Sequence, residues 1–288
     1  MLYRVCALVS GDCVNLPVIP VLDCYPNQKP LLMLFRWLTN RRRRRLLAQP
    51  FPQEWESILN VNVRHFLLLN NDERTKLRNL VRVFVAEKNW EGCLGLRLTD
   101  EIRVTIAAQA CLLLLGFDDE YFDHVLSILV YPTAYVAPDK TITKGGIEIE
   151  ERSNRMGEAW FQGPVILSWI DAAAAGRGEA KGHNVVMHEF AHQLDMLNGQ
   201  SIDGTPPLSS TAQYDRWQEV VHREYDRLVN DCRYRRWTVL DCYGSSDIGE
   251  FFAVATESFF EQPDELEEER PDLYAVLQAF YRQDPARR

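Results

Sequence analysis

The sequence contains no Cys-x-x-Cys pair, and its seven cysteines are an odd number spread over 288 residues. A disulfide framework is therefore not expected, and reduced thiols in a cytosolic protein fit the pattern better. Positive charge is also scarce, since 32 lysines and arginines stand against 41 acidic residues and the net charge is −9. This balance gives no reason to expect general affinity for nucleic acid, and no specific nucleic-acid partner is predicted.

Long apolar runs are missing from the N-terminal part of the chain. In residues 1–32 such runs are short and are interrupted by Gly11, Pro17 and Pro20, so no transmembrane helix is predicted there. No basic segment leads into one continuous apolar stretch, so a signal peptide is not predicted either. The expected location is the cytoplasm.

Residues 1–50 are predicted to be a flexible extension ahead of a domain over residues 51–288. Residues 1–32 hold three of the seven cysteines and four of the fourteen prolines. We hypothesise that translation starts at Met33 and that residues 1–32 are not native. The arginine run at 41–45 follows one amphipathic turn, which would give at most weak, salt-sensitive contact with an anionic membrane. A solvated segment is the favoured interpretation of this run.

Apolar residues recur at helical spacing from about Phe51 onward. Three helices are predicted, around residues 55–63, 77–85 and 99–115. Strand patterns follow at residues 125–131, 147–150 and 164–169. Residues 172–181 are predicted to form a loop, and the acidic stretch 264–272 is predicted to be a solvated connection.

Residues 184–199 read NVVMHEFAHQLDMLNG and contain His188-Glu189-x-x-His192, the two-histidine zinc pattern of metallopeptidases. Residues four apart lie on one face of a helix, so both imidazoles can reach the same Zn²⁺. Glu189 would lie beside the metal but off the ligand axis, where it can polarise a water. The alternative is a buried helix with two hydrogen-bonded histidines, which would leave the Glu189 carboxylate unpaired among apolar neighbours.

A catalytic zinc takes three protein ligands and leaves one position for water, so a third ligand must come from elsewhere in the chain. Glu250 and Glu257 lie two helical turns apart on an almost wholly apolar segment, where a carboxylate needs a partner or a metal. Glu219 lies 27 residues after His192, but its segment is charged enough to leave it in solvent. The residues alone rank the candidates as Glu250, Glu257 and Glu219, and all three stay open.

The sequence resembles the Mlc titration factor A family of zinc metallopeptidases and, more distantly, the catalytic domain of anthrax lethal factor. The resemblance is carried by HEFAHQLDMLNG and, about sixty residues later, by Tyr243-Gly244 followed by Glu250-Phe251-Phe252-Ala253. Further matches at residues 131–132, 163–169 and 280–285 extend it over most of residues 51–288. With the strand patterns, it implies an α+β, zincin-like fold that is mostly helical, with a small sheet over the active-site helix.

The resemblance also implies the roles of individual residues. The implied ligands of one Zn²⁺ per chain are His188, His192 and Glu250. Glu189 would act as the general base, and Tyr243 would hydrogen-bond the developing oxyanion. Asp195 is assigned to the support of a ligating histidine. Glu257 matches a further acid near the ligands, and its role stays open.

The implied function is hydrolysis of peptide bonds, in the manner of an aminopeptidase acting on small peptides. Members of the family that the sequence resembles are also linked to sugar uptake through a transcriptional repressor of the Mlc type. The alternative is a regulator-binding protein that sequesters such a repressor, with zinc in a mainly structural role. A structural site would be closed by a fourth protein ligand, and the absence of a nearby cysteine in the sequence favours an open, catalytic site.

Overall fold

The structure is a computed structural model, and it describes residues 29–118, 121–133, 142–144, 147–149, 163–199 and 201–288. The chain divides into two units, Met1–Arg45 and Leu46–Arg288. The boundary predicted from the sequence lies slightly later, after residue 50. Flexibility of the extension and a non-native origin of residues 1–32 stay predictions, since residues 1–28 lie outside the described part.

Helix α1 (Lys29–Leu47) contains Met33 and the arginine run at 41–45. Its last turn carries Arg44 and Arg45, and positive charge at this end interacts favourably with the helix dipole. The sequence predicted only one amphipathic turn here, so this 19-residue helix is an addition to the expected fold. Among the described helices, none combines the length and the apolar character that a bilayer crossing requires.

The second unit opens with a helical block, as the sequence predicted. Its longest member begins at a capping box, in which Asn70 accepts from the backbone N–H of Glu73 and the Glu73 side chain accepts from the backbone N–H of Asn70. The last helix of the block is buried at every residue from Val104 onward, because most of these residues are apolar. The block comprises α2 (Gln53–Asn62), α3 (Arg64–Leu68), α4 (Asn71–Glu87) and α5 (Asp100–Leu112).

A sheet of three parallel strands lies in the order β1-β2-β5, and a separate antiparallel pair joins β3 to β4. Ile128 at the centre of the sheet is in register with Trp90 on one side and with Val165 on the other. The sequence did not predict β1, because this strand alternates between exposed and half-buried residues without an apolar pattern. The strands are β1 (Asn89–Gly92), β2 (Ser127–Tyr131), β3 (Ile142–Lys144), β4 (Ile147–Ile149) and β5 (Val165–Ser168).

Two segments predicted to be irregular are helices. Helix α6 (Trp169–Gly176) follows β5 directly, and the Ser168 side chain caps it by accepting from the backbone N–H of Asp171. Alanine has the highest intrinsic helix propensity of all residues, and this helix contains a run of alanines. The prediction of a loop over 172–181 gave that propensity too little weight. Helix α10 (Pro263–Glu269) begins with proline and two acids, which suit a first helical turn. The prediction of a solvated connection over 264–272 was therefore wrong.

The helix that carries the two histidines is α7 (Val185–Asp195), which packs against α5, α6, β5 and α9 (Ile248–Glu261). Phe190 on its inner face meets the ring of Phe84 at 5.5 Å and that of Phe122 at 4.8 Å between centroids, both edge to face. The small sheet and the helical block thus share one core with α7, as predicted. The other helices are α8 (Thr211–Arg233), α9 (Ile248–Glu261) and α11 (Pro271–Tyr281).

A buried arginine joins three of these helices. Arg270 lies between α10 and α11, and its side chain is fully excluded from solvent. Its guanidinium donates to the carboxylates of Glu224 at 3.3 Å and Asp231 at 3.0 Å, both on α8. It also donates to the Thr238 hydroxyl at 3.0 Å, which fixes part of the chain that follows α8.

Cys232 and Cys242 form a disulfide, so the prediction that all cysteines are reduced was wrong for this pair. Cys232 lies in the last turn of α8, and Cys242 begins a 3₁₀ turn (Cys242–Ser245). The ten-residue separation gave no recognisable motif, and only the fold brings the two sulfurs together. Cys93 and Cys111 are free thiols, and burial raises the pKa of the Cys111 thiol.

Arg270→Ala is expected to lower the free energy of unfolding by about 3–5 kcal/mol, because it removes the buried cation that faces Glu224 and Asp231. Urea unfolding followed by circular dichroism measures this loss. Arg287→Ala is the control, since Arg287 pairs with Glu267 at the surface and should lose far less. Equal losses in the two variants would show that the buried arginine is not a structural anchor.

Candidate metal centre

Helix α7 places both histidines of the motif on one face. Asn184 caps the helix by accepting from the backbone N–H of Met187 at 3.0 Å, which sets where the helical spacing begins. His188 and His192 are then one turn apart, with ring centroids 4.9 Å from each other. Both Nε2 atoms point toward the same carboxylate on α9.

That carboxylate belongs to Glu250, in the first turn of α9. The Asp247 side chain caps this helix by accepting from the backbone N–H groups of Gly249 and Glu250, at 2.9 and 3.0 Å. Gly249 is required by a close approach, because a Cβ there would lie only 2.2 Å from the Ile202 side chain. The Oε2 atom of Glu250 lies 3.0 Å from Nε2 of His188 and 3.4 Å from Nε2 of His192.

The three side chains fit a divalent cation. One ligand atom from each of His188, His192 and Glu250 lies within 4.8 Å of the others, and no fourth such residue among the described ones joins this group. Burial alone would lower the pKa of His188, but hydrogen bonds to Glu250 and Glu257 raise it to about 10. Burial opposes ionisation of Glu250 as well, yet the two imidazoles hold its pKa well below the usual range. The site is therefore built to hold positive charge, and two imidazoles with one carboxylate are donors that zinc accepts.

Glu257 orients the His188 ring from the side that faces away from Glu250. Its Oε1 atom lies 2.8 Å from Nδ1 of His188, on the opposite side of the ring from Glu250. Its Oε2 atom accepts from the backbone N–H of Asn184, at the start of α7. One carboxylate therefore fixes both the helix start and the ring of the first histidine. This geometry directs Nε2 toward the metal position, an arrangement typical of histidine ligands.

Glu189 and Tyr243 lie beside the three ligands. Burial raises the pKa of the Glu189 carboxyl, and the neighbouring His188 and His192 oppose that rise. The Tyr243 side chain lies close enough to Glu250 for the carboxylate to act on the phenol, and its ring lies 6.0 Å from that of His188. Burial and then the Glu250 carboxylate raise the pKa of Tyr243 to about 12, so the phenol keeps its proton at neutral pH. The site thus combines a proton acceptor with a hydrogen-bond donor.

Comparison with known proteins identifies the family. A family model described as glucose-regulated metallo-peptidase M90 matches residues 37–282. The chain belongs to this metallopeptidase family. The resemblance inferred from the motif is therefore confirmed, and the family implies a bound metal ion and hydrolysis of peptides.

Individual relatives match over most of their length. An uncharacterized protein of Synechocystis sp. is 38 % identical over 250 residues, which cover 86 % of this chain and 90 % of the relative. Mlc titration factor A of Klebsiella pneumoniae subsp. pneumoniae is 32 % identical over 238 residues, covering 81 % and 87 %. The Mlc titration factor A of Escherichia fergusonii is 31 % identical over 246 residues, covering 83 % and 90 %.

Two other acids considered from the sequence, Asp195 and Glu219, are not part of the group of three possible metal ligands. Both oxygens of Asp195 accept from backbone N–H groups, of Gly204 at 2.7 Å and of Thr205 at 2.8 Å. Asp195 therefore orders the loop after α7, and its hydrogen bonds in the described structure do not include the predicted one to a histidine. Glu219 is exposed and pairs with Arg216 at 3.2 Å, so the structure does not bring it to the metal centre.

Sequence reasoning missed two residues that hold α7 in place. The Asn184 side-chain amide donates to Glu261 at 2.8 Å, and the Glu261 carboxylate also pairs with Arg64 of α3. A signal for Asn184 was present, because asparagine before an apolar helix is a typical N-cap. Glu261 lies one turn after Glu257 on the same face of α9, so its acidity among apolar residues was a signal as well.

Glu257→Gln is expected to weaken metal binding by roughly 10- to 100-fold, since an amide orients the His188 ring less firmly than a carboxylate does. Competition with a chromogenic chelator for Zn²⁺ measures this affinity. Glu219→Gln, at an exposed glutamate far from the ligands, should leave the affinity unchanged. An unaltered affinity in Glu257→Gln would remove the orienting role from this residue.

Proposed function

We propose that this chain is a zinc-dependent aminopeptidase that acts on small peptides in the cytoplasm. The observation that carries the proposal is the open set of three ligands with a raised-pKa carboxyl, Glu189, beside it. A site with a purely structural metal would be closed by a fourth protein ligand, and the described residues offer none. The M90 match supports the peptidase reaction, and the resemblance in the motifs supports the aminopeptidase mode.

The donor set supports zinc as the metal. Two imidazole nitrogens and one carboxylate oxygen form the ligand set of several zinc peptidases. A bound divalent ion at this position would polarise the scissile carbonyl and make a water more acidic. His188, His192 and Glu250 would hold the ion, and Glu257 would keep the His188 ring in its ligating orientation.

The protein side chains would handle the protons and the developing charge. Glu189 in its ionised form accepts the proton of the attacking water, and the same carboxyl then delivers that proton to the leaving amine. Tyr243 keeps its phenolic proton at neutral pH and donates a hydrogen bond to the oxyanion that forms on the former carbonyl. Burial of Glu189 strengthens its interaction with the reacting groups, because little water competes at this carboxyl.

Glu189→Gln is expected to retain zinc and to lose nearly all turnover, because glutamine keeps the shape of the side chain but cannot accept the proton. Metal analysis and a panel of aminoacyl and peptide nitroanilides, with free and with acetylated N-termini, measure the two properties. Wild-type protein should cleave only the free N-termini. Substantial zinc-dependent turnover by Glu189→Gln would overturn the mechanism, and cleavage of acetylated peptides would overturn the aminopeptidase mode.

A second candidate function is the binding of a transcriptional repressor. Two relatives that match over more than four-fifths of this chain carry the name Mlc titration factor A, and the family is described as glucose-regulated. On this alternative the chain sequesters an Mlc-type repressor and influences sugar uptake, with the metal mainly structural.

The two candidate functions separate in a binding assay. If the chain is a repressor-binding protein, purified Mlc-type repressor should co-elute with it in gel filtration. The Glu189→Gln variant should then bind as tightly as the wild type, because proton transfer plays no part in sequestration. No co-elution with either protein would remove this candidate and leave the peptidase proposal intact.

A further inference from the structure

A groove leads away from the metal centre. A cavity of about 510 Å³ adjoins the ligand His188 and Tyr243. A second cavity of about 490 Å³ lies beside it, lined in part by Lys181, Trp237 and Gln262. The two cavities share the lining residues His183, Asp241, Val254 and Glu257, so they adjoin each other, and we refer to them together as the groove.

The far cavity is walled by the segment that the disulfide closes into a ring, which we call the disulfide loop (residues 233–241). Two hydrogen bonds anchor the loop to the helices behind it. The Thr238 hydroxyl accepts from buried Arg270, and the Val239 backbone N–H donates to Glu269 at 2.7 Å. Its wall of the groove is therefore held in position before any ligand arrives. A pre-ordered wall lowers the entropy cost of binding.

Trp237 lies on this wall with 75 % of its surface exposed, the most exposed of the large aromatic side chains in the described structure. It takes no part in the buried core. Exposed tryptophans in concave, pre-ordered surfaces are frequent anchors in recognition, because they bury a large area on contact. Packing of the core therefore does not explain why a tryptophan lies beside this cavity.

We propose that the groove binds the substrate chain beyond the cleaved bond, so that this chain prefers oligopeptides to dipeptides, with Trp237 as the specificity-determining residue. The inference rests on the proposed peptidase function. In the substrate of an aminopeptidase, only one residue precedes the scissile bond. The rest of the substrate follows this bond and must lie on the side of the leaving amine. The near cavity already matches a small-ligand pocket in volume, and a dipeptide would be accommodated there.

The far cavity therefore becomes useful only to a longer chain. An extended peptide advances by about 3.3 Å per residue, so each added residue carries the substrate further along the groove toward Trp237. Contacts made there, away from the reacting bond, supply binding energy that can be used to position the bond over Glu189 and the ligands. The preference for length should appear in kcat/KM.

The test uses alanine peptides of two to six residues with free N-termini, and the release of alanine is measured. In the wild type, kcat/KM should rise about tenfold between the dipeptide and the longer peptides. Trp237→Ala should abolish most of this rise, so that kcat/KM falls more for the longer peptides than for the dipeptide. Tyr214→Ala, at another exposed aromatic that lies outside the groove, should keep the full rise.

Two results would overturn the proposal. One is a kcat/KM that does not depend on length in the wild type, and the other is a loss in Trp237→Ala that is equal for all lengths. Isothermal titration of the same peptides into the Glu189→Gln protein separates this failure from failure of the proposed function. Length-dependent binding without hydrolysis by the wild type would support peptide binding in the groove and contradict the proposed peptidase function. Hydrolysis with no length dependence in rate or binding would leave the peptidase function intact and remove the groove as a binding site for longer peptides.

Discussion

The packing of helix α9 against helix α7 is the constraint on which the metal centre depends. Glu257 accepts from the first backbone N–H of the α7 cap and also contacts the His188 ring, while Glu261 accepts from the Asn184 side chain. One turn of α9, from Glu257 to Glu261, thus determines where α7 begins and how the His188 ring is oriented. Glu250, on the same helix, then completes the ligand set. Local helix propensity alone would not align these groups.

The same packing concentrates acidic groups in a poorly hydrated place. Glu189 and Glu250 interact with both imidazoles and Glu257 interacts with that of His188, and isolated carboxylates there would be costly to ionise. Against the effect of burial, the hydrogen bonds from His188 to Glu250 and Glu257 raise the pKa of this ring, so the acids favour a positive charge beside them. A divalent ion would balance the acids more completely than a proton. Charge, burial and donor geometry therefore favour the same occupant.

The sequence predicted the centre of the fold well, because the histidine motif and the apolar periodicity of the helices are local signals. It could rank Glu250 above Glu219, since an acid on an apolar helix needs a partner. It could not reveal that the Asp195 carboxylate turns to the loop after α7, because that depends on where the loop returns. The pairing of Cys232 with Cys242 was hidden for the same reason. Helix α10 was missed because acidic composition outweighed its N-terminal proline in the prediction.

The three acids of α9 share one face because they are spaced by seven and then by four residues, close to two turns and one turn of an α-helix. Insertion or deletion of one residue between the first and the last would rotate the groups beyond it by about 100°. Ligation, ring orientation and helix capping would then be lost together. Length variation within this stretch should be strongly selected against during evolution.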